Sequence, residues 1–168
     1  MDVFIEKIVP RRKTLKDNLM AIGIIIVGIV LTLVVLNIPV LSSFAPVLVI
    51  AIIYFGYLFT KSINLEYEYA VTNGDIDVDK IIAQRKRKRL FSASTSDIEI
   101  VAKVRSDKYS GEYKNIRKRI EAVSSMEKQD IYFIVAPYKG EKTILFFEPD
   151  QRMIDSFKTK IPRKVYEY

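Results

Sequence analysis

The sequence contains no cysteine and no histidine. Without cysteine there is no disulfide and no thiolate nucleophile. Without histidine there is no imidazole base, and together the two absences remove the usual ligands of a zinc site. The lack of cysteine also fits a reducing compartment. Charge is missing too, but only in places. Leu19–Leu36 is an apolar run of 18 residues in which Thr32 carries the one polar side chain, and Phe44–Thr60 is a second run of 17 without a charge.

At 1.5 Å per residue, each run makes a helix about 25–27 Å long, close to the hydrocarbon thickness of a thin bilayer. A buried core helix is the alternative for either run alone. A chain of 168 residues is too small to surround two of them. Both are therefore read as membrane spans. Between them, Asn37-Ile-Pro-Val-Leu-Ser-Ser43 ends one helix and starts the next, and so short a link forces an antiparallel hairpin. Lys7, Arg11, Arg12, Lys13 and Lys16 precede the first span, Lys61 follows the second, and the link has no basic residue. The positive-inside rule then puts both ends of the hairpin in the cytoplasm of a plasma-membrane protein. A cleaved signal peptide fits poorly, because the first run is too long, lacks a small-residue cleavage site and is followed at once by another span. No ionisable residue lies within either span, so the hairpin reads as an anchor rather than a transport path.

These boundaries divide the chain into an N-terminal cytoplasmic segment (1–18), a hairpin (19–60, with spans at 19–36 and 44–60) and a cytoplasmic domain (62–168). In the first segment, Phe4 with Ile8 and Ile5 with Val9 lie at i, i+4 spacing, which suggests a short interfacial helix or a disordered lead-in. Thr14-Leu-Lys-Asp17 has the form of a helix start. After Lys61 the pattern changes to alternation. Tyr67, Tyr69 and Val71 share one face of a strand; Ile76, Val78 and Ile82 share one face of the next. Asn73-Gly74 between them suits a type I′ turn, which needs two residues with positive φ.

Further strands are expected at Lys86–Ser92, Ile98–Val104, Ile131–Pro137 and Lys142–Glu148; the polar stretch Gly111–Met126 reads as a helix or, preferably, as a loop leading to a strand near Ile120–Ser124. Pro149 suits the first position of a closing helix, whose apolar stripe is Met153, Ile154, Phe157 and Ile161.

Chemistry-bearing motifs are few. Asp75-Ile-Asp77-Val-Asp79 resembles the start of a calcium loop, but Lys80 and Lys86 stand where such a loop needs glycine and a carboxylate. No metal is expected. Ser124, Ser125, Lys128 and Asp130 lie in one polar stretch, and no S-x-x-K nucleophile, glycine-rich phosphate loop or G-x-S-x-G elbow is expected. No cofactor and no catalysis are expected. The strongest charge feature is Arg85, Lys86, Arg87, Lys88 and Arg89. A first strand leaving the membrane runs about 20 Å outward at roughly 3.3 Å per residue, and a second returns as far. The basic run then starts near headgroup level, where anionic lipid attracts each cation by about 1 kcal/mol. Pairing with the acidic face of Glu66, Glu68, Asp75, Asp77 and Asp79 competes with that reading, as does protection of an edge strand. Nucleic acid is not expected, because the run has no interleaved stacking aromatics.

The run "YAVTNGDIDVDKIIAQRKRKRL" (Tyr69–Leu90), "SDIEIV" (Ser96–Val101) and the closing "FFEPDQRMIDSFKTKIP" (Phe146–Pro162) resemble bacterial pleckstrin-homology-like (PH-like) membrane proteins, in particular a family of small two-span proteins. The resemblance covers essentially the whole chain. It implies an α+β membrane protein: a two-helix transmembrane hairpin, then a PH-like antiparallel β-barrel closed by a C-terminal α-helix. In that barrel Met153, Ile154 and Phe157 would fill one opening. Ala83-Gln84 departs from the usual pattern, which has glycine at the second turn.

The expected function is that of a membrane-anchored binding or scaffold module, oriented on anionic lipid and recruiting a protein partner or self-associating. The alternative is an accessory subunit recognised through its spans.

Overall fold

The computed structural model describes residues 4–167. In chain order the elements are β1 (Phe4–Pro10), α1 (Leu15–Asn37), α2 (Pro39–Ser42), α3 (Ala45–Ser62), β2 (Leu65–Thr72), β3 (Asp75–Ile82), β4 (Lys86–Ala93), β5 (Ile100–Lys103), α4 (Gly111–Lys114), β6 (Lys118–Glu121), β7 (Tyr132–Tyr138), β8 (Glu141–Phe147), α5 (Gln151–Lys160) and β9 (Val165–Tyr166). They fall into two compact units. One is Arg12–Leu65 with Ile82–Gln84; the other comprises the chain up to Arg11, Glu66–Ile81 and everything from Arg85 on.

The helical unit starts at the expected cap. Thr14 Oγ1 accepts from Asp17 N (3.3 Å), and Asp17 Oδ2 accepts from Thr14 N (2.7 Å), so two of the four unpaired amides of the first turn are satisfied. α1 and α3 run antiparallel and meet where glycine removes a side chain: a Cβ on Gly28 would lie 3.7 Å from Ile52 Cγ2, and one on Gly56 would lie 3.9 Å from Ile24 Cγ2. Thr32 and Thr60 each donate to the carbonyl four residues back (2.9 Å in both), which satisfies their hydroxyls inside the helix. Most other apolar side chains face outward; Ile25 and Ile50 are 59% and 68% exposed. Both helices are long and apolar enough to cross a membrane.

In the sheet unit the first departure is β1. Phe4–Pro10 is a strand, not the short helix or lead-in its spacing suggested, and it pairs antiparallel with β2 from Phe4↔Thr72 to Pro10↔Glu66. Residues four apart share a face in a helix and equally in a strand, so the spacing alone did not discriminate. Ile5 and Val9 point into the core.

The strands form two sheets, with orders β1-β2-β3-β4 and β6-β8-β7-β5-β9, rather than one sheet closed on itself. β6 pairs parallel to β8 and β9 pairs parallel to β5. Most strand boundaries follow the alternation, but β5 keeps only Ile100–Lys103 of the expected Ile98–Val104, β6 starts two residues earlier than expected after the single turn of α4, and β9 was not expected. The first hairpin turns as the sequence requires, Asn73 and Gly74 both having positive φ (53° and 92°). In β3, Ile76 and Val78 are buried, but the next buried residue is Ile81, not Ile82. The alternation slips by one place at Asp79-Lys80, as happens when a strand takes up an extra residue.

The main core lies between the sheets, with Tyr69, Val78, Phe91, Ile134 and Leu145 fully or almost fully buried. A second cluster covers the far face of the second sheet, where Tyr109, Tyr113, Ile116 and Val123 pack over Phe133, Val135, Ile144 and Phe146. The second sheet is therefore buried on both faces, and in β5 Val101 serves one cluster while Ile100 and Ala102 serve the other. The N-cap of α5 is Asp150, whose Oδ1 accepts from Met153 N (2.9 Å); Pro149 precedes the cap and stands two residues before the first helical position, Gln151, rather than at it. Met153, Ile154 and Phe157 enter the main core, and the Phe157 ring meets Phe147 edge-on at 6.4 Å.

Candidate functional site

The basic run begins at a strained turn. Ala83 and Gln84 both have positive φ (53° and 57°) without the glycine that usually relieves it. Ala83 N donates to Asn64 O at 3.0 Å, and Asn64 lies two residues beyond the end of α3. The turn that feeds Arg85 is thus fixed at the end of the second apolar helix.

From there the run enters β4, and its cations have different fates. Arg87 Nη2 stands 3.2 Å from Glu68 Oε2, and Arg89 reaches Asp77 Oδ1 (2.5 Å) and Asp79 Oδ1 (2.6 Å). The hydrogen bond that Arg89 donates to Asp79 raises the Arg89 pKa further and holds it cationic. Lys86 and Lys88 are exposed and make no ion pair among the described residues; nor does Arg85.

Two carboxylates of this face behave in opposite ways. Burial pushes the Glu68 pKa up, Arg87 opposes this, and neighbouring Glu6 adds to it. Glu68 Oε2 has Arg87 within ion-pair distance but no hydrogen bond of good geometry, so its desolvation is poorly compensated. Asp75 is held below its ordinary value by Thr95, which donates from N (2.6 Å) and Oγ1 (2.7 Å), with Ser94 adding a third bond.

A second polar cluster, inside the fold, was missed from sequence. Ser125-Met-Glu-Lys128 has the S-x-x-K spacing of some serine nucleophiles, which the reading of that stretch passed over. The geometry gives it another role. Lys128 Nζ binds Glu148 Oε2 at 2.7 Å, Glu148 Oε1 accepts from Ser124 N at 2.5 Å, and no hydrogen bond joins either serine hydroxyl to Lys128 among the described residues. Burial raises the Glu148 pKa, but Lys128 and Ser124 outweigh it and the net shift is downward. Lys128 is therefore placed against a carboxylate and not against a serine hydroxyl. Tyr69 OH donates to Ala122 O and accepts from Glu148 N (3.3 Å), and Lys7 Nζ donates to Glu148 O (2.8 Å). This cluster ties β1 and β2 to the start of α5. Among the described residues no group of acidic side chains is placed to hold a metal ion.

Along the helix pair run two open apolar grooves, of about 410 and 620 Å3, and Gly28, Ile24, Ile52 and Gly56 line both.

Two sheets packed around a main core that a C-terminal helix enters, together with an apolar helix pair, define a small α+β module. The chain belongs to the family described as Bacterial PH-like domain (DUF6106), which matches residues 1–167. No curated protein and no solved structure matches the chain.

Proposed function

We propose that the protein is a membrane-anchored PH-like module that presents its sheet domain to a protein partner on the cytoplasmic face and is oriented by anionic lipid, without catalysis. The observation that carries the reading is the Ala83–Asn64 hydrogen bond, which brings the turn before Arg85 to the end of α3. Arg12 and Lys13 lead into α1, Lys16 lies in its first turn and Lys61 lies in the last turn of α3, so these cations gather at the same end of the antiparallel pair. The helices cross as 19–36 and 44–60. Since β1 and β2 pair in one sheet, both ends of the segment between them lie on one side, which supports two crossings over one. Met153, Ile154 and Phe157 enter the main core from α5, and the role we assign them is to close one opening between the sheets.

Because the chain has no cysteine, topology is measurable with single introduced thiols. An impermeant thiol reagent on intact cells is expected to label Ser43→Cys and to leave Lys139→Cys unlabelled until the cells are opened. Labelling of Lys139→Cys in intact cells would refute the orientation.

The grooves beside Gly28 and Gly56 favour a second reading, an accessory subunit recognised through its spans. Replacing both spans by an unrelated hairpin separates the two. Association lost with the spans supports the subunit; association retained supports the module.

A further inference from the structure

Side chains of a strand alternate between its faces. Arg87 and Arg89 stand at odd positions and are bound to Glu68, Asp77 and Asp79. Lys86 and Lys88 stand at even positions, exposed, and make no ion pair among the described residues. The remaining β3 carboxylate, Asp75, is taken by Ser94 and Thr95. The acidic face pairs with two of the five cations and leaves Arg85, Lys86 and Lys88 without an ion pair among the described residues.

We infer that Lys86 and Lys88, joined by Arg85, are the residues that meet the phosphate groups of anionic phospholipid, and that Arg87 and Arg89 are positioning residues that fasten β4 to β2 and β3. This rests on the anionic-lipid reading above. Residues two apart on a strand are about 7 Å apart, so the two ammonium groups engage separate phosphates rather than chelating one. Lysine suits this task, being a hydrated point charge on a flexible stem, whereas the arginines make the fixed contacts to carboxylates.

The test uses the full chain in neutral detergent, titrated with phosphatidylglycerol or phosphatidylcholine of matched acyl chains, with bound lipid counted by native mass spectrometry. One cation near an anionic surface is worth about fivefold. Lys86→Gln with Lys88→Gln is therefore expected to cut the preference for phosphatidylglycerol about thirtyfold at an unchanged melting temperature. Arg87→Gln with Arg89→Gln is expected to lower the melting temperature and leave the preference within about threefold; if that variant does not fold, Arg87→Lys with Arg89→Lys replaces it. Millimolar inorganic phosphate is expected not to compete. A wild-type chain with no preference for phosphatidylglycerol overturns the lipid reading as a whole. A preference lost with the arginines and kept without the lysines overturns only the division of the run. Competition by free phosphate overturns lipid as the ligand and leaves a phosphate site.

Discussion

Consider a chain in which residues 11–65 are removed and Pro10 is joined to Glu66 through Asn-Gly. The two residues are cross-strand partners at the end of the β1–β2 pair, so a two-residue turn spans the gap without moving either strand. The product keeps the first sheet except for Leu65 at the start of β2 and loses the apolar helices, and it is expected to be soluble, monomeric and cooperatively folded. Its control is 66–167 alone, which lacks β1. That fragment loses the burial of Ile5 and Val9 (7% and 5% exposed) and the Lys7 bond to Glu148 O, and it exposes the edge of β2. Truncating a buried isoleucine to alanine costs about 2–5 kcal/mol, a large part of the 5–15 kcal/mol typical of a whole domain. Ile5→Ala in the spliced chain is therefore expected to lower the melting temperature by about 10–20 °C, and 66–167 is expected to show no cooperative transition at all. Thermal melts followed by circular dichroism decide it. If 66–167 melts as sharply and as high as the spliced chain, β1 is not part of the domain and the reasoning fails.

Three further outcomes follow from local geometry. Gly74 has φ +92°, and a Cβ there would lie 2.8 Å from Thr95 Oγ1 and 3.0 Å from Lys160 Cγ, so Gly74→Ala is expected to cost about 2–3 kcal/mol in urea denaturation; a loss under 0.5 would show the tip to be free. Replacing Ala83-Gln84 by Asn-Gly relieves two residues in left-handed backbone and is expected to stabilise by about 1 kcal/mol, measured the same way; destabilisation would mean that these side chains contribute more than the strain they bear. Glu68 has a folded pKa above its unfolded value, so the native state holds the proton more tightly and stability falls as pH rises from below the unfolded pKa through the folded one. Glu68→Gln is therefore expected to stabilise at pH 7 and to lose that advantage towards pH 4, and a flat difference across this range would refute the assignment.

The parts of the fold legible in the sequence were those specified by neighbours in the chain. Asn73-Gly74 sets its own turn, the apolar runs set their own helices, and the i, i+4 stripe of Met153 and Phe157 needs no partner to be recognised. What stayed hidden depends on distant partners. β1 is a strand because β2 lies beside it, across an insertion that contains both apolar helices. Tyr109, Tyr113 and Ile116 sit in a stretch rich in charge, and they become core only because Phe133 and Phe146 present a second apolar face to cover. The S-x-x-K spacing had a local signal, but its meaning was fixed by Glu148, twenty residues further on. In the basic run, charge was obvious and its division was not, because the alternation reveals faces but not which carboxylates stand opposite.

The place of the insertion bears on how the anchor and the domain depend on each other. A tethered module is normally joined by a linker at one end of a complete domain, so that cutting the linker frees the domain. Here four residues, 11–14, separate β1 from α1 and two, 63–64, separate α3 from β2. Cleavage after the first helix would leave β1 attached to that helix and β2 attached to the other fragment. Processing of the first span as a signal peptide would therefore remove Ile5, Lys7 and Val9 from the core, which is a stronger argument against it than the absent cleavage motif.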